Sequence, residues 1–427
     1  MDKKTEDQLL KWYDNLESDQ GEDILGGQET DEEDDLHISD HDSASEEDPF
    51  EENEAIMNIP DDIFLSNFVR HYVGRDGTKW NKDRPSQNVR TPKHNKVTDR
   101  HKPGVRPEAK HAKAPLESLS LFLSNDLLQK IVDYSNIYID KIKRQYSRGR
   151  DALHTNLHEI KAVIGLLYLA GVAKSSHVNI YDLWATDGMG LDIFPAVMSI
   201  SRFKFLMRCL RFDNILDRQE RKLEDKLAPV RDMFEDFVQK CQNMYTVSEN
   251  VTTDEMLEAF RGRCGFRQYI KNKPARYGIK IFAMVDSKNL YTSNLEIYAD
   301  KQPPGPYYLD NSAFEVVKRL VFPISGIGRN VTMDNWFTSV PLSEELMKNH
   351  NLTMVGTIRK NKREIPVEFC SKKKKSEIPC NTFGFKNYIT LVSHTSPKKN
   401  WFYYSRQCTM MMKLLLTTTR QKALLML

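Results

Sequence analysis

Two aspartates of this 427-residue chain stand in matching contexts. Asp254 follows the β-prone run Val251-Thr252-Thr253, and Asp334 follows Val331-Thr332-Met333. Each is expected at the end of a strand, where loops meet and ligands bind in open α/β sheets. On neighbouring strands the pair would offer oxygens to Mg²⁺, which takes one or two carboxylates together with waters and substrate phosphate oxygens. Two such ions about 3.5–4 Å apart would activate an attacking water or 3′-hydroxyl and stabilise the leaving oxygen. A plainer reading stands beside this one: an Asp at a strand end commonly closes a turn, and Asp334 precedes a helical run that it could cap.

A ladder of cations follows Asp254: Arg261, Arg263, Arg267, Lys271, Lys273, Arg276 and Lys280. Arg forks onto phosphates and Lys acts as a point charge, so beside a nuclease centre the ladder would hold nucleic acid. The alternative is a solvated basic face. Trp336 comes directly after Asp334-Asn335. Its indole either stacks on an unpaired base or packs the start of the helix. Should the pair need a third carboxylate, Asp286 is the first residue to test.

The surrounding elements must place these groups. The net charge of +2 conceals an asymmetry: residues 1–62 carry about 24 acidic and 3 basic side chains, which leaves the remainder at about +23. A basic body with an acidic tail points to a polyanion partner. Residues 1–62 are too polar and too like-charged to offset the entropy of ordering and are expected to be disordered. Ser43 and Ser45 there precede acidic residues, as acidophilic kinase sites do. Residues 63–115 are basic and Pro-rich and read as an extended linker or a DNA-tracking arm. From 116 to 247 the apolar residues recur at helical spacing. Within this span LHEIKAVIGLLYLAGV (157–172) reads as a helix buried nearly all round, and Lys204, Arg208 and Arg211 line the basic side of another. From 248 to about 400 the runs are short and β-rich, with a basic insert near 360–386. A helical half followed by a β-rich half implies two domains. The six cysteines are scattered without a CxxC pair, which suits isolated reduced thiols and no zinc site in this chain. No apolar run is long enough for a membrane span.

The stretch TTDEMLEAFRGRCGFRQYIKNKPARYGIKIFAMVDS resembles the segment around the first catalytic Asp of piggyBac transposases, and NVTMDNWFTSVPLSEEL resembles that around their second. MVGTIRKNKREIP is similar to the family's next block. DLLQKIVDYSNIYID, EIKAVIGLLYLAGV, SRFKFLMRCLRFDN and LAPVRDMFEDFV resemble its helical region, and RDGTKWNK its opening segment. The similarity is collinear from about 75 to 400. It implies an α+β multidomain chain: an acidic disordered tail, a helical dimerisation and DNA-binding region (116–247), and an RNase H-like α/β catalytic domain (248–400). Asp254 and Asp334 would be catalytic metal ligands in a DDE/DDD site that uses two Mg²⁺ or Mn²⁺ ions. The resemblance further implies double-stranded DNA with terminal inverted repeats as substrate, TTAA as target, a homodimer, and a nuclear location.

The family's third Asp follows a buried strand after YITLVSH. Here that place reads KKNWFYYSRQCTMMMKLLL, and no acidic residue occurs from 378 onward. Codon structure offers a reason. Shifting the frame by one base turns Asn400–Tyr404 into Leu-Val-Leu-Leu and Met410–Lys413 into Asp-Asp-Glu, whatever synonymous codons are used. Residues 401–427 are therefore expected to be non-native sequence. Two functions stay open: a cut-and-paste transposase, catalytically incomplete in this chain, or a non-catalytic DNA-binding domesticated or decayed derivative. An acidic-tailed transcriptional regulator is a third.

Overall fold

The periodic apolar residues of 115–244 form helices, three of which have their starts capped by the side chain of the preceding residue. The computed structural model describes residues 70–85, 102–370 apart from 189 and 272, and 380–395, with the backbone alone at 37–38 and 409–414. Helix α1 spans Pro115–Phe122, α2 Asn125–Ile142, α3 Leu157–Val172, α4 Ile200–Cys209 and α5 Arg231–Met244. Ser124 caps α2, Asn156 caps α3 and Ser199 caps α4, each accepting from first-turn amides that the helix itself leaves unpaired. Ile139 and Ile142 of α2, Val163 and Leu166 of α3, and Phe203, Leu206 and Cys209 of α4 share one core with Trp184 and Phe194.

Helix α3 departs from the expectation of burial all round. Ile160, Val163 and Leu166 face its neighbours, whereas Leu167, Tyr168 and Val172 are exposed. The basic side of α4 is also less free than its sequence suggests. Lys204 donates to the Tyr181 hydroxyl and Arg208 to the Tyr146 hydroxyl. The Arg211 guanidinium lies 3.5 Å above the Tyr138 ring.

The strands in chain order are β1 His37–Ile38, β2 His71–Val73, β3 Lys79–Asn81, β4 Gly104–Val105, β5 Tyr245–Thr246, β6 Asn250–Ala259 and β7 Gln268–Tyr269. They continue with β8 Tyr277–Asp286, β9 Thr292–Ile297, β10 Asn330–Met333, β11 Thr353–Thr357, β12 Cys380–Lys386, β13 Ile389–Thr395 and β14 Thr409–Leu414. All but β4 and β5 join one sheet, in the order β1-β7-β8-β6-β10-β11-β14-β13-β12-β3-β2, with β9 also on β8. Strands β6, β8 and β9 pair antiparallel, whereas β6, β10 and β11 run parallel. The parallel pairs require crossovers, and helices supply them. Helix α6 (Ala313–Val321) precedes β10, and α7 (Val340–His350) links it to β11. Their apolar faces cover the sheet side that carries Val251, Phe282, Met284, Val331 and Met354. Asn351, in the left-handed region at φ 53°, ends α7 and turns the chain into β11.

Residues 70–82, read from sequence as part of an extended arm, form a hairpin built into the sheet. Strand β2 pairs with β3, and β3 meets β12 at Asn81 and Phe385. Trp80 is fully buried in the main core, and its indole N–H donates to the Glu364 carbonyl at 2.8 Å. The basic composition of the segment hid this single anchoring aromatic. The predicted tail at 1–62, with Ser43 and Ser45, lies outside the described residues except for the backbone of β1, which runs parallel to β7. The predicted non-native tail also lies outside them, except for the backbone of β14 between β11 and β13. Among the described residues no helix is long and apolar enough to cross a membrane.

Candidate active site

Asp254 and Asp334 are brought together by the parallel register of β6 and β10. Asn250 to Thr253 pair in turn with Asn330 to Met333. Asp334, the first residue past β10, therefore comes level with Asp254, about 4.8 Å away across the sheet at the backbone. The expectation that both residues end strands is corrected for Asp254. Strand β6 continues to Ala259, paired with β8 alone, so Asp254 stands where the parallel neighbour has ended.

Local hydrogen bonds orient each group. Asp254 is an exposed residue whose carboxyl is partly shielded from water, and its Oδ1 accepts from the Glu255 amide at 2.8 Å. Asp334 is half-buried, and its Oδ1 accepts from the Trp336 amide at 2.9 Å and the Phe337 amide at 3.3 Å. The Thr338 hydroxyl donates to the Asp334 carbonyl at 2.6 Å. Asp334 thus closes a turn beside Asp254 but does not cap the helix that follows, which starts at Val340 with Ser339 as its cap. Both carboxyls are held above the usual carboxylate range. Loss of hydration raises Asp254, and the neighbouring Glu255 charge adds to it. Loss of hydration raises Asp334; the two amides oppose the rise, and the Asp254 charge reinforces it. The Asp254 charge thus disfavours ionisation of Asp334.

The cation ladder divides into four parts. Arg261, Arg263, Lys271 and Arg276 are exposed. Arg267 shapes its own loop: its guanidinium donates to the Arg261 and Gly262 carbonyls, both at 3.1 Å. Lys273 is committed to the buried Glu255, at 3.1 Å from Oε1. Lys280 corrects the expectation of a surface phosphate contact. It is only 3% exposed, lies among the rings of Phe282, Tyr298 and Trp336, and burial pushes its ammonium down to about 8. Its place in the strand alternation, in phase with Phe282 and Met284, carried that signal. Trp336 stacks on Phe282 at 5.7 Å and meets Phe337 edge-on, so packing occupies much of the indole offered for base stacking.

Asp286 does not join the pair. It is fully buried at the far end of β8, opposite Val251, three residues or about 10 Å along the strand from the level of Asp254. Its carboxylate accepts from the amide and hydroxyl of Ser248 and from the Lys288 and Asn289 amides, which hold its pKa below the usual range despite burial. Sequence reading missed Arg359. Its Nε donates to Asn335 Oδ1 at 3.2 Å, and its charge opposes the rise at Asp334. With Asp76, Lys362 and Arg363 it lines a cleft of about 450 Å³. The run Arg-Lys-Asn-Lys-Arg at 359–363 was visible as a charge cluster, but only the order of strands brings it to Asp334. Among the described residues no group of three or more His, Cys, Asp or Glu is arranged to hold a metal ion.

A mixed sheet with carboxylates on adjacent strands and cations around them defines a class, and comparison with known proteins agrees with it. A family model described as Transposase IS4 matches residues 114–423. A cryo-EM structure of a piggyBac transposase synaptic complex with hairpin DNA superimposes with a TM-score of 0.66 at 34% identity, over 74% of this chain and 63% of that one. Human PiggyBac transposable element-derived protein 3 is 26% identical over 276 residues, 62% of this chain and 43% of that protein. The human Chimeric ERCC6-PGBD3 protein is also 26% identical over 276 residues, which make up 24% of its length. This chain belongs to the piggyBac-type transposase family. It spans less than half the length of the curated relatives it matches.

Proposed function

We propose that this chain is a nuclear DNA-binding protein whose β-rich half is an RNase H-like transposase domain, with Asp254 and Asp334 as its first two catalytic carboxylates. The observation that carries the reading is their level register on parallel strands, with the Asp254 charge acting on Asp334. The pair fits one hard divalent cation, Mg²⁺ or Mn²⁺, completed by waters and phosphate oxygens. When bound, such an ion supplies activation of a water or 3′-hydroxyl and neutralisation of the leaving oxygen. The protein's own part is to orient Asp334 through the Trp336 and Phe337 amides and to keep Asp254 open to solvent. The exposed Arg261, Arg263, Lys271 and Arg276 would track the DNA backbone beside the pair. The hairpin DNA named in the solved piggyBac structure supports DNA as the partner, and the family resemblance supports inverted-repeat ends, TTAA targets and a homodimer.

Because no acidic residue stands from 378 onward, where the family's third Asp would fall, we infer that this chain binds DNA ends and does not cut them. Two closely spaced divalent ions repel strongly, and two carboxylates offset that repulsion poorly. This favours a domesticated or decayed derivative over a working transposase. The test is nicking and hairpin formation on an inverted-repeat duplex with Mg²⁺ or Mn²⁺, run beside a binding assay at graded salt. Binding without cleavage is the expected result. Cleavage by the 427-residue chain would overturn the incompleteness, and absence of binding at low salt would remove DNA as partner.

A further inference from the structure

A buried ammonium is costly unless something at its site requires it. Lys280 sits on β8 in phase with Phe282, and Leu or Met would fill its space without a charge. Its Nζ lies 5.1 Å from the Phe282 and Tyr298 ring centroids and 5.3 Å from that of Trp336. The charges acting on it are those of Glu255 and Asp334, which favour its cationic form, and of Lys273, which opposes it. Trp336 is held flat against Phe282, with 9° between the ring planes. The same residue's amide is one of the two that orient Asp334 Oδ1. A short mechanical path therefore runs from the ammonium through the indole and its backbone to the carboxylate.

We infer that Lys280 is a positioning residue for Asp334: a cation seated among Phe282, Tyr298 and Trp336 holds the indole in place, and through the Trp336 amide holds the Asp334 carboxylate level with Asp254. The inference rests on the reading of Asp254 and Asp334 as a shared site, and its test separates the two.

The full chain is labelled with 5-fluorotryptophan, and the Trp336 resonance is identified by its loss in Trp336→Phe. Lys280→Met keeps length and sulfur–ring packing without charge, Lys280→Gln is a second neutral variant, and Lys280→Arg keeps a cation that stacks on rings. The H₂O/D₂O shift of the resonance reports exposure of the indole. It is expected to rise about twofold in the neutral variants and to stay near the unsubstituted value in Lys280→Arg, as a cation–π hold requires. Mn²⁺ binding to the DNA-free chain gives an opposite-sign check. A cation that is merely nearby repels Mn²⁺, so its removal would tighten binding. A positioning residue's removal should weaken binding about tenfold, with Lys280→Arg retaining most of the affinity. An unchanged isotope shift in the neutral variants, tighter Mn²⁺ binding, or an Arg variant that behaves like Met each overturns the inference. If Mn²⁺ binding in the unsubstituted chain does not depend on Asp254 and Asp334, the shared-site reading fails instead. The fluorine measurement then still decides whether Lys280 holds Trp336.

Discussion

Replacing Asp334 by Asn should stabilise the metal-free protein at neutral pH. The Asn Oδ1 accepts the Trp336 and Phe337 amides as the carboxylate does, so the turn keeps its geometry and only the charge is lost. For carboxylates about 5–6 Å apart in an effective dielectric near 20, repulsion comes to roughly 3 kcal/mol. Asp254 is exposed, so solvent and salt screening reduce this to about 1 kcal/mol. Relief of the half-buried Asp334 charge adds a similar amount. The expected gain is about 1–2 kcal/mol, or roughly 1–2 °C in Tm for a protein of this size. The sign with pH follows from both carboxyls being raised above their unfolded values. Below an unfolded pKa of about 4 the wild type carries no penalty; stability is lost as pH rises towards the folded pKa, and the loss is complete above it. The advantage of Asp334→Asn should therefore vanish near pH 4 and grow as pH rises above it, read by calorimetry with a chelator present. Asp254→Asn should give a smaller gain, and the double variant less than the sum, because either change removes the shared repulsion. Full additivity, or an equal loss of stability at every pH, would show that the two carboxylates do not face each other.

Trp80→Ala should cost about 3–5 kcal/mol in urea unfolding, since it empties a fully buried indole site and leaves the Glu364 carbonyl without its donor; a loss below about 1 kcal/mol would mean the hairpin is not part of the core. Lys271→Glu and Arg276→Glu, both at exposed positions, should each flatten the slope of log DNA affinity against log salt by nearly one unit; an unchanged slope would place the DNA elsewhere. Lys280→Met should stabilise the protein by up to about 3 kcal/mol below pH 8, because burial lowers the folded pKa of Lys280 from 10.5 to about 8. That gain should fade as pH approaches 10.5, where the lysine is neutral in both states; a gain that does not vary with pH would contradict the cationic cage.

Much of the carboxylate pair was legible in sequence because it depends on local repetition: two β-prone triplets, each followed by Asp. The helix starts were legible for the same reason, as Ser124, Asn156 and Ser199 sit just ahead of periodic apolar runs. What sequence left open depends on contacts between distant segments. Trp80 in a basic stretch carries no local mark of burial; only β12, some 300 residues later, makes its environment apolar. The charge of Lys280 points to the surface and its strand phase to the core, and the phase prevails. Arg359 reaches Asn335 only through the parallel pairing of β10 and β11. The exposed Leu167, Tyr168 and Val172 show the converse: an apolar run does not reveal which of its faces a neighbour will cover.

The placement of the β2–β3 hairpin has a consequence for how the chain comes into being. Trp80 and its hydrogen-bond partner Glu364 are separated by 284 residues. At a synthesis rate of about 5–20 residues per second, the hairpin leaves the ribosome roughly 15–60 s before its seat exists. During that interval a large aromatic in a basic segment remains in water or in the hands of a chaperone. Closure then proceeds by long-range pairing, the slowest kind. Docking of the hairpin should therefore be a late step, set by the arrival of the segment around Glu364 rather than by the hairpin's own early synthesis.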